Sequence, residues 1–280
     1  MKKILLAIAF VLPMAMMAGG NKELVILHTN DSHSTVMPLN ENLADTMLAG
    51  RGGFLRRLSM INDERAKNPK LLLFDSGDFS QGSTYYTMFK GDVESGLMNL
   101  MKYDAATIGN HEFDFGLDNM ARLFKQCNFP IVCSNYDFTG TVVEGLVKPY
   151  VVLKRDGVKI GVFGLSPAFD GLVAKANYAG VEYKDPVETA KKMVDILRNK
   201  EKVDVVICLS HLGWELKGEA CDEVVIRGTK GIDLVLGGHS HTYMEQLQWV
   251  EDAGGKKVAV DQNGKHAIFV GKITMELKKK

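Results

Sequence analysis

The sequence predicts an α/β fold, a layered α/β/α domain with mixed β-sheets, and three observations predict it. Short apolar runs recur along the chain and are continuous rather than alternating, the pattern of strands buried on both faces. Segments with apolar residues at helical spacing lie between these runs. After residue 21 there is no internal repeat, low-complexity linker or Pro/Ser-rich boundary, so 280 residues with 46% hydrophobic content read as one large domain over 21–280.

Taken in order, residues 1–20 read as an export signal peptide: Lys2 and Lys3, the run "ILLAIAFVLPMAMMA", then small residues around Ala18 to Gly20. Pro13 interrupts the run, which falls short of the ~20 apolar residues that span a bilayer, so a membrane anchor is not expected. The expected location is periplasmic or secreted. Export permits disulfides without requiring them. None of Cys127, Cys133, Cys208 and Cys221 has C-x-x-C spacing, so a thiolate metal site is not expected, and pairing of Cys127 with Cys133 stays open.

The expected strands are "LVIL" at 24–27, "LLLF" at 71–74, "AATIG" at 105–109, "PIVCS" at 130–134, "VVICLS" at 205–210 and "DLVLGG" at 233–238. Among the helices, Phe54, Leu55, Leu58 and Ile61 form one core stripe, and Val93, Leu97, Leu100 and Met101 another. Asp118 can cap a helix carrying Met120, Leu123 and Phe124. "DPVETAKKMVDILRN" has Asp185 as N-cap, Pro186 at the first helical position and Glu188 to close a capping box. Asp156-Gly157 marks a two-residue hairpin. A second antiparallel pair is expected between "KKVAVDQ" and "HAIFVGKITMEL".

The polar residues fall just after the apolar runs. Asp31 and His33 follow the first run, Asp78 the second, and Asn110, His111, Glu112 and Asp114 the third; His211 follows "VVICLS", and His239 and His241 follow "DLVLGG". Ligands of layered α/β sheets bind outside the carboxyl ends of strands, so five loops would deliver these residues to one edge. A lone His is ordinarily a surface or hydrogen-bonded core residue, and a lone Asp a turn former. Five of seven histidines gathered in such loops is a pattern chance explains less well; His28 and His266 are read as structural. Carboxylate, imidazole and amide oxygen without thiolate suit two divalent metal ions such as Zn, Mn, Co or Fe, and the donors outnumber what one tetrahedral ion takes. Two ions about 3.5–4 Å apart, sharing Asp78 as a bridge, would use the set.

"ILHTNDSH", "DSGDFSQGS", "IGNHEFDFG", "SHLG" and "GGHSH" resemble, in that order, the signature blocks of calcineurin-like metallophosphoesterases, and "HTNDSH" is similar to the 5′-nucleotidase branch. The resemblance runs from about Leu24 to Leu277 and implies the four-layer type of the layered α/β/α fold. It implies one metal on Asp31, His33, Asp78 and His241, and a second on Asp78, Asn110, His211 and His239. It also implies that His111 is a catalytic acid paired with Asp114, while Glu112 is a structural hydrogen-bonder. The implied function is a two-metal phosphoesterase hydrolysing phosphate monoesters, in the first place 5′-nucleotides. The same site allows cyclic-nucleotide phosphodiesterase or UDP-sugar hydrolase chemistry, or a non-catalytic metal-stabilised subunit.

Larger members of that branch carry a C-terminal domain that binds the nucleoside, so either this domain acts alone with broad specificity or, as the expected partner, a separate chain supplies the nucleoside-binding half. Trp214, Tyr243 and Trp249 offer some stacking surface, though loop packing is the reading adopted for them. Lys+Arg and Asp+Glu cancel at 34 each, which leaves no basic track for nucleic acid. There is no G-x-x-x-x-G-K-[ST], no G-x-G-x-x-G and no G-x-S-x-G, so P-loop, dinucleotide-binding and serine-hydrolase chemistry lack their phosphate cradle or nucleophile.

Overall fold

The structure, a computed structural model, describes residues 22–217 and 220–277; the expected export signal lies outside the described residues. Along the first half run β1 (Lys22–Thr29), α1 (Phe54–Lys67), β2 (Leu72–Asp75), α2 (Thr84–Phe89), α3 (Asp92–Met101), β3 (Ala105–Ala106), α4 (Gly116–Phe124), β4 (Ile131–Val132), β5 (Tyr136–Asp137) and β6 (Val147–Lys148). The second half has β7 (Tyr150–Arg155), β8 (Val158–Leu165), β9 (Glu182–Tyr183), α5 (Pro186–Asp195), β10 (Val205–Ser210), α6 (Asp222–Gly228), β11 (Leu234–Leu236), β12 (Gln248–Glu251), β13 (Lys257–Asp261) and β14 (Gly271–Leu277). No helix among the described residues is long and apolar enough to cross a membrane.

Two six-stranded sheets form, ordered β14-β1-β2-β3-β4-β6 and β12-β13-β11-β10-β8-β7. Each is parallel in its middle, with antiparallel pairing at β14–β1 in one and at β7–β8 and β12–β13 in the other. Strand periodicity explains the layers. Leu24, Ile26, Leu72 and Phe74 of the first sheet pack against Ile160, Val162, Ile207, Leu209 and Leu234 of the second. Val25, Leu27, Leu71 and Leu73 turn the other way, onto Phe54 and Ile61 of α1, Met98 and Met101 of α3, and Met120 and Leu123 of α4. On the far side of the second sheet, Phe163, Val206, Cys208 and Val235 meet Ala190 and Val194 of α5 and Val225 and Ile226 of α6. Helices, sheet, sheet and helices make the four layers that the family resemblance implies, and both sheets are buried on two faces as continuous apolar runs predict.

Several local expectations are corrected. Leu55 is 77% exposed and Leu100 62% exposed; the inward faces instead carry Arg57 in α1 and Glu94, Ser95 and Met98 in α3. The rest of each stripe holds, with Phe54, Ile61 and Met101 buried and Leu58 and Leu97 packed on the core, and buried polar residues share the faces. Asp118 lies inside the first turn of α4 and does not cap it, since the helix already starts at Gly116. Asp185 does cap α5, accepting from Glu188 N at 2.8 Å, but the Glu188 carboxylate pairs with Lys191 rather than closing the box. The Asp156-Gly157 hairpin forms as expected, with φ of 50° and 70° and β7 antiparallel to β8. The second expected pair does not form: β13 lies between β11 and β12, while β14 crosses to the first sheet beside β1. All four cysteines are free, and Cys208 is a buried core residue of β10.

Polar pins join the sheets. His28 of β1 is buried with Nε2 2.7 Å from Asp261 Oδ2 of β13, and Ser76, just past β2, donates Oγ–H to Leu236 O of β11 at 2.8 Å. At Gly164 of β8 the sheets approach so closely that a Cβ would stand 2.1 Å from Val132 O. Gly164→Ala is therefore expected to cost roughly 3 kcal/mol of unfolding free energy, read from urea denaturation; an unchanged midpoint would show that the seam can open there.

Asp222, at the start of α6, is buried and accepts from the Ser210 hydroxyl. Burial pushes its carboxyl up to about 7 against that hydrogen bond. The folded value exceeds the roughly 3.9 of an unfolded Asp, so the stability this proton contributes is complete below about pH 4 and is lost as pH rises through the folded value. Asp222→Asn mimics the protonated acid and is expected to flatten the decline of the urea midpoint between about pH 4 and 8; an unaltered slope would contradict this.

Candidate metal centre

Each sequence-predicted site residue stands just beyond the carboxyl end of a parallel strand. Asp31 and His33 follow β1, Asp78 follows β2 and Asn110, His111 and Asp114 follow β3, all in the first sheet; His211 follows β10 and His239 and His241 follow β11 in the second. Because the sheets stack with these ends on the same side, the five loops meet at one rim.

There the side chains converge. Asp31, His33 and His241 form one group of possible metal-holding atoms within 4.8 Å of one another, and Asp78, His211 and His239 form another. His241 Nε2 lies 3.3 Å from Asp31 Oδ1 and 2.9 Å from His33 Nε2. His211 Nε2 lies 3.1 Å from Asp78 Oδ2 and 3.8 Å from Asp31 Oδ1, so it touches both groups. His33, Asp78 and His111 make a third group between them. Asn110 belongs to none of these groups of imidazoles and carboxylates, but its Oδ1 is buried without a hydrogen-bond partner, and so is His211 Nε2 despite its nearness to Asp78. Buried polar atoms are rarely left this way, and two of them among two buried carboxylates fit a donor set for divalent cations.

Protonation is set by neighbours. His211 Nδ1 lies 2.6 Å from Ser76 O, to which it donates, so in the neutral ring Nε2 carries the lone pair facing the seam. Burial opposes charge on His211, yet Asp78 and Asp31 raise it to about 10. Against its own burial, Asp78 is held below the usual carboxylate range, chiefly by His211. His239 is lowered to about 4 by burial and by His211, and burial also lowers His33, leaving both as neutral imidazoles at pH 7. His111 differs. Burial works against its charge, but Asp114, whose Oδ2 is 3.1 Å from Nδ1, and Asp78 together raise it above the ordinary 6.5.

Backbone geometry was hidden from the sequence. Asp31, His33, Asp78, His239 and His241 all adopt left-handed φ, between 43° and 73°. Non-glycine residues seldom do so, and a cluster of them marks a place where the surroundings hold the chain against its preference. Glu112 supplies part of that hold, its carboxylate accepting from Asp78 N, Gly109 N and Ser80 N at 2.6–3.1 Å. A Cβ at Gly109 would meet Asp78 Oδ1 at 2.1 Å, which accounts for the glycine before Asn110. His266, read as structural, lies against the rim, its N–H donating to Asp31 O at 2.7 Å and its Nδ1 3.0 Å from Thr35 Oγ1. Trp214 packs partly buried on the second sheet's helical side, Tyr243 stacks on Phe269 at 4.2 Å, and Trp249 is an exposed edge-strand residue.

Comparison with known proteins places this geometry. Residues 24–243 match the calcineurin-like phosphoesterase family. Human 5′-nucleotidase is 33% identical over 233 residues, covering 81% of this chain but 39% of that protein. The structure of a 5′-nucleotidase precursor from Thermus thermophilus superposes with a TM-score of 0.80 at 28% identity, over 90% of this chain and 51% of that one. The calcineurin-like phosphoesterase YfkN from Bacillus subtilis does so with a TM-score of 0.76 at 29% identity, over 93% and 87%. The chain thus spans about two fifths of the length of curated 5′-nucleotidases it matches. A match over most of its length, upheld by a shared fold, establishes that the chain belongs to the calcineurin-like phosphoesterase family.

Proposed function

We propose that this chain hydrolyses phosphate monoesters, with 5′-nucleotides as the first substrate class, at a centre for two divalent cations. One would be held by Asp31, His33, Asp78 and His241, the other by Asp78, Asn110, His211 and His239, with Asp78 shared. The carrying observation is the pair of donor groups around buried carboxylates, with unpartnered Asn110 Oδ1 and His211 Nε2 between the sheets. Bound divalent cations at such a site supply positive charge for a phosphate's oxygens and lower the pKa of water.

The chain's own residues do the rest. Asn110 offers an oxygen without adding negative charge beside an anionic ester. Asp114 orients His111 through Nδ1 and favours its imidazolium, so Nε2 carries a proton that it can give to the departing alkoxide. The ring is partly exposed, side-chain exposure 29%, as a group that meets substrate must be.

The compartment we propose is outside the cytoplasm, following export directed by residues 1–20, and the ions we propose are Zn, Mn, Co or Fe. We also propose, as the resemblance implies, that a separate chain carrying a nucleoside-binding domain sharpens nucleotide selectivity. A panel of mononucleotides, cyclic nucleotides and UDP-sugars, with and without that domain, separates the substrate classes.

Metal analysis after loading and desalting is expected to give two ions per chain, falling in Asp78→Ala; a wild-type chain that retains none would overturn the centre. His111→Ala is expected to lower kcat on glycerol 3-phosphate by about 10²–10⁴-fold, with a smaller loss on 4-nitrophenyl phosphate, whose leaving group needs no proton. Equal losses on both esters would remove the acid role from His111.

A further inference from the structure

Beside the His111–Asp114 pair lies a cleft of about 580 Å³, within the range of small-molecule sites, whose lining includes Gln81, Ser83, Tyr85, Tyr86, Asp114 and Phe115. It is tied to the centre on both flanks. Tyr86 donates its hydroxyl to His111 O at 3.3 Å, and Ser83 Oγ lies 2.5 Å from Ser34 Oγ, next to His33. Asp114 borders the cleft and holds His111 Nδ1 as well.

Its chemistry is selective. Tyr85 and Phe115 are 37% and 39% exposed, while Tyr86 beneath is buried with its ring 5.1 Å from Phe115. Lys90 Nζ stands 5.5 Å over the Phe115 ring, yet Lys90 does not line the cleft. No Lys or Arg lines it, and its one charged group is a carboxylate, so a phosphate finds nothing there to neutralise it. Aromatic faces with amide and hydroxyl groups suit a neutral, planar group that carries hydroxyls.

We infer that this cleft is the subsite for the uncharged part of the ester, and that it takes an aromatic leaving group of nucleoside size by stacking on Tyr85 and Phe115. The inference rests on the phosphoesterase reading above and adds that this domain alone distinguishes a base-bearing ester from a bare sugar phosphate. Adenosine 5′-monophosphate and ribose 5-phosphate release alkoxides of the same kind, so the ratio of their kcat/KM isolates recognition of the ring.

In the Mn²⁺-loaded chain that ratio is expected to fall about tenfold in Tyr85→Ala and in Phe115→Ala, the size of one lost stacking contact. Phe115→Leu, which keeps apolar packing without the ring, is expected to show most of the same loss, and Trp249→Ala, on the exposed edge strand, none. Saturation-transfer NMR with adenosine on the full chain gives a readout independent of turnover: the signal is expected for wild type and lost in Phe115→Leu. If both esters are hydrolysed and neither the ratio nor the NMR signal changes in the variants, the cleft assignment is wrong while the phosphoesterase reading stands. If wild type hydrolyses neither ester yet binds adenosine through Tyr85 and Phe115, the reading of the centre fails and the cleft is upheld. An aryl rather than nucleoside preference would appear as NMR saturation of 4-nitrophenol without adenosine, and would overturn the nucleoside size.

Discussion

Two carboxylates, Asp31 and Asp78, are almost wholly buried at the seam of two sheets, and the arrangement of the rim follows from satisfying them. Negative charge is costly in such surroundings unless paired or hydrogen-bonded. The fold meets this need from both sheets. His239 N donates to Asp31 Oδ2 at 3.0 Å, His241 and His211 approach the same carboxylate from the second sheet, and His111 N donates to Asp78 Oδ1 at 2.9 Å from the first. Neither sheet alone supplies enough donors, so the stacking of the sheets and the assembly of the centre are one requirement.

That requirement explains the strain. For a side chain to leave the end of a strand and turn back over the seam, its backbone must reverse within one or two residues, and five of the converging residues do so in left-handed conformation. Each such residue costs of order 1 kcal/mol or more. Backbone bonds offset the cost: Asp31 N to Gly77 O and His33 N to Asp78 O knit the first two loops together at 2.9 and 3.0 Å, and Glu112 gathers three further N–H groups. Rigid loops of this kind hold ligating atoms near their working positions before any ligand arrives, which lowers the reorganisation needed on binding.

The rim also divides electrically. On the seam, imidazoles and carboxylates concentrate charge and buried polar atoms; beyond Asp114 the lining of the cleft becomes aromatic and hydroxyl-bearing, with no Lys or Arg in it. His111 stands at the boundary, its Nδ1 facing Asp114 and its ring 5.4 Å from that of His33. A phosphate ester has the same division, with an anionic and a neutral end joined at the bond to be broken.

The sequence by itself determined the strand runs, the α5 cap at Asp185, the Asp156-Gly157 turn and the gathering of Asp31, His33, Asp78, Asn110, His111, His211, His239 and His241 just after strands. These are local signals: burial on both faces writes continuous apolar runs, and a residue's place after a strand is fixed by chain order. The partner of β14, the exposure of Leu55 and Leu100, the left-handed turns and the Tyr85–Phe115 cleft were decided only by tertiary structure. Strand pairing across sheets depends on which apolar faces meet, helix faces shift when Arg57 or Glu94 is buried among apolar neighbours, and a cleft exists only between segments about thirty residues apart. Chain order can place a carboxylate at the end of a strand; only the packing of one sheet on the other brings the imidazoles of His211, His239 and His241 over it.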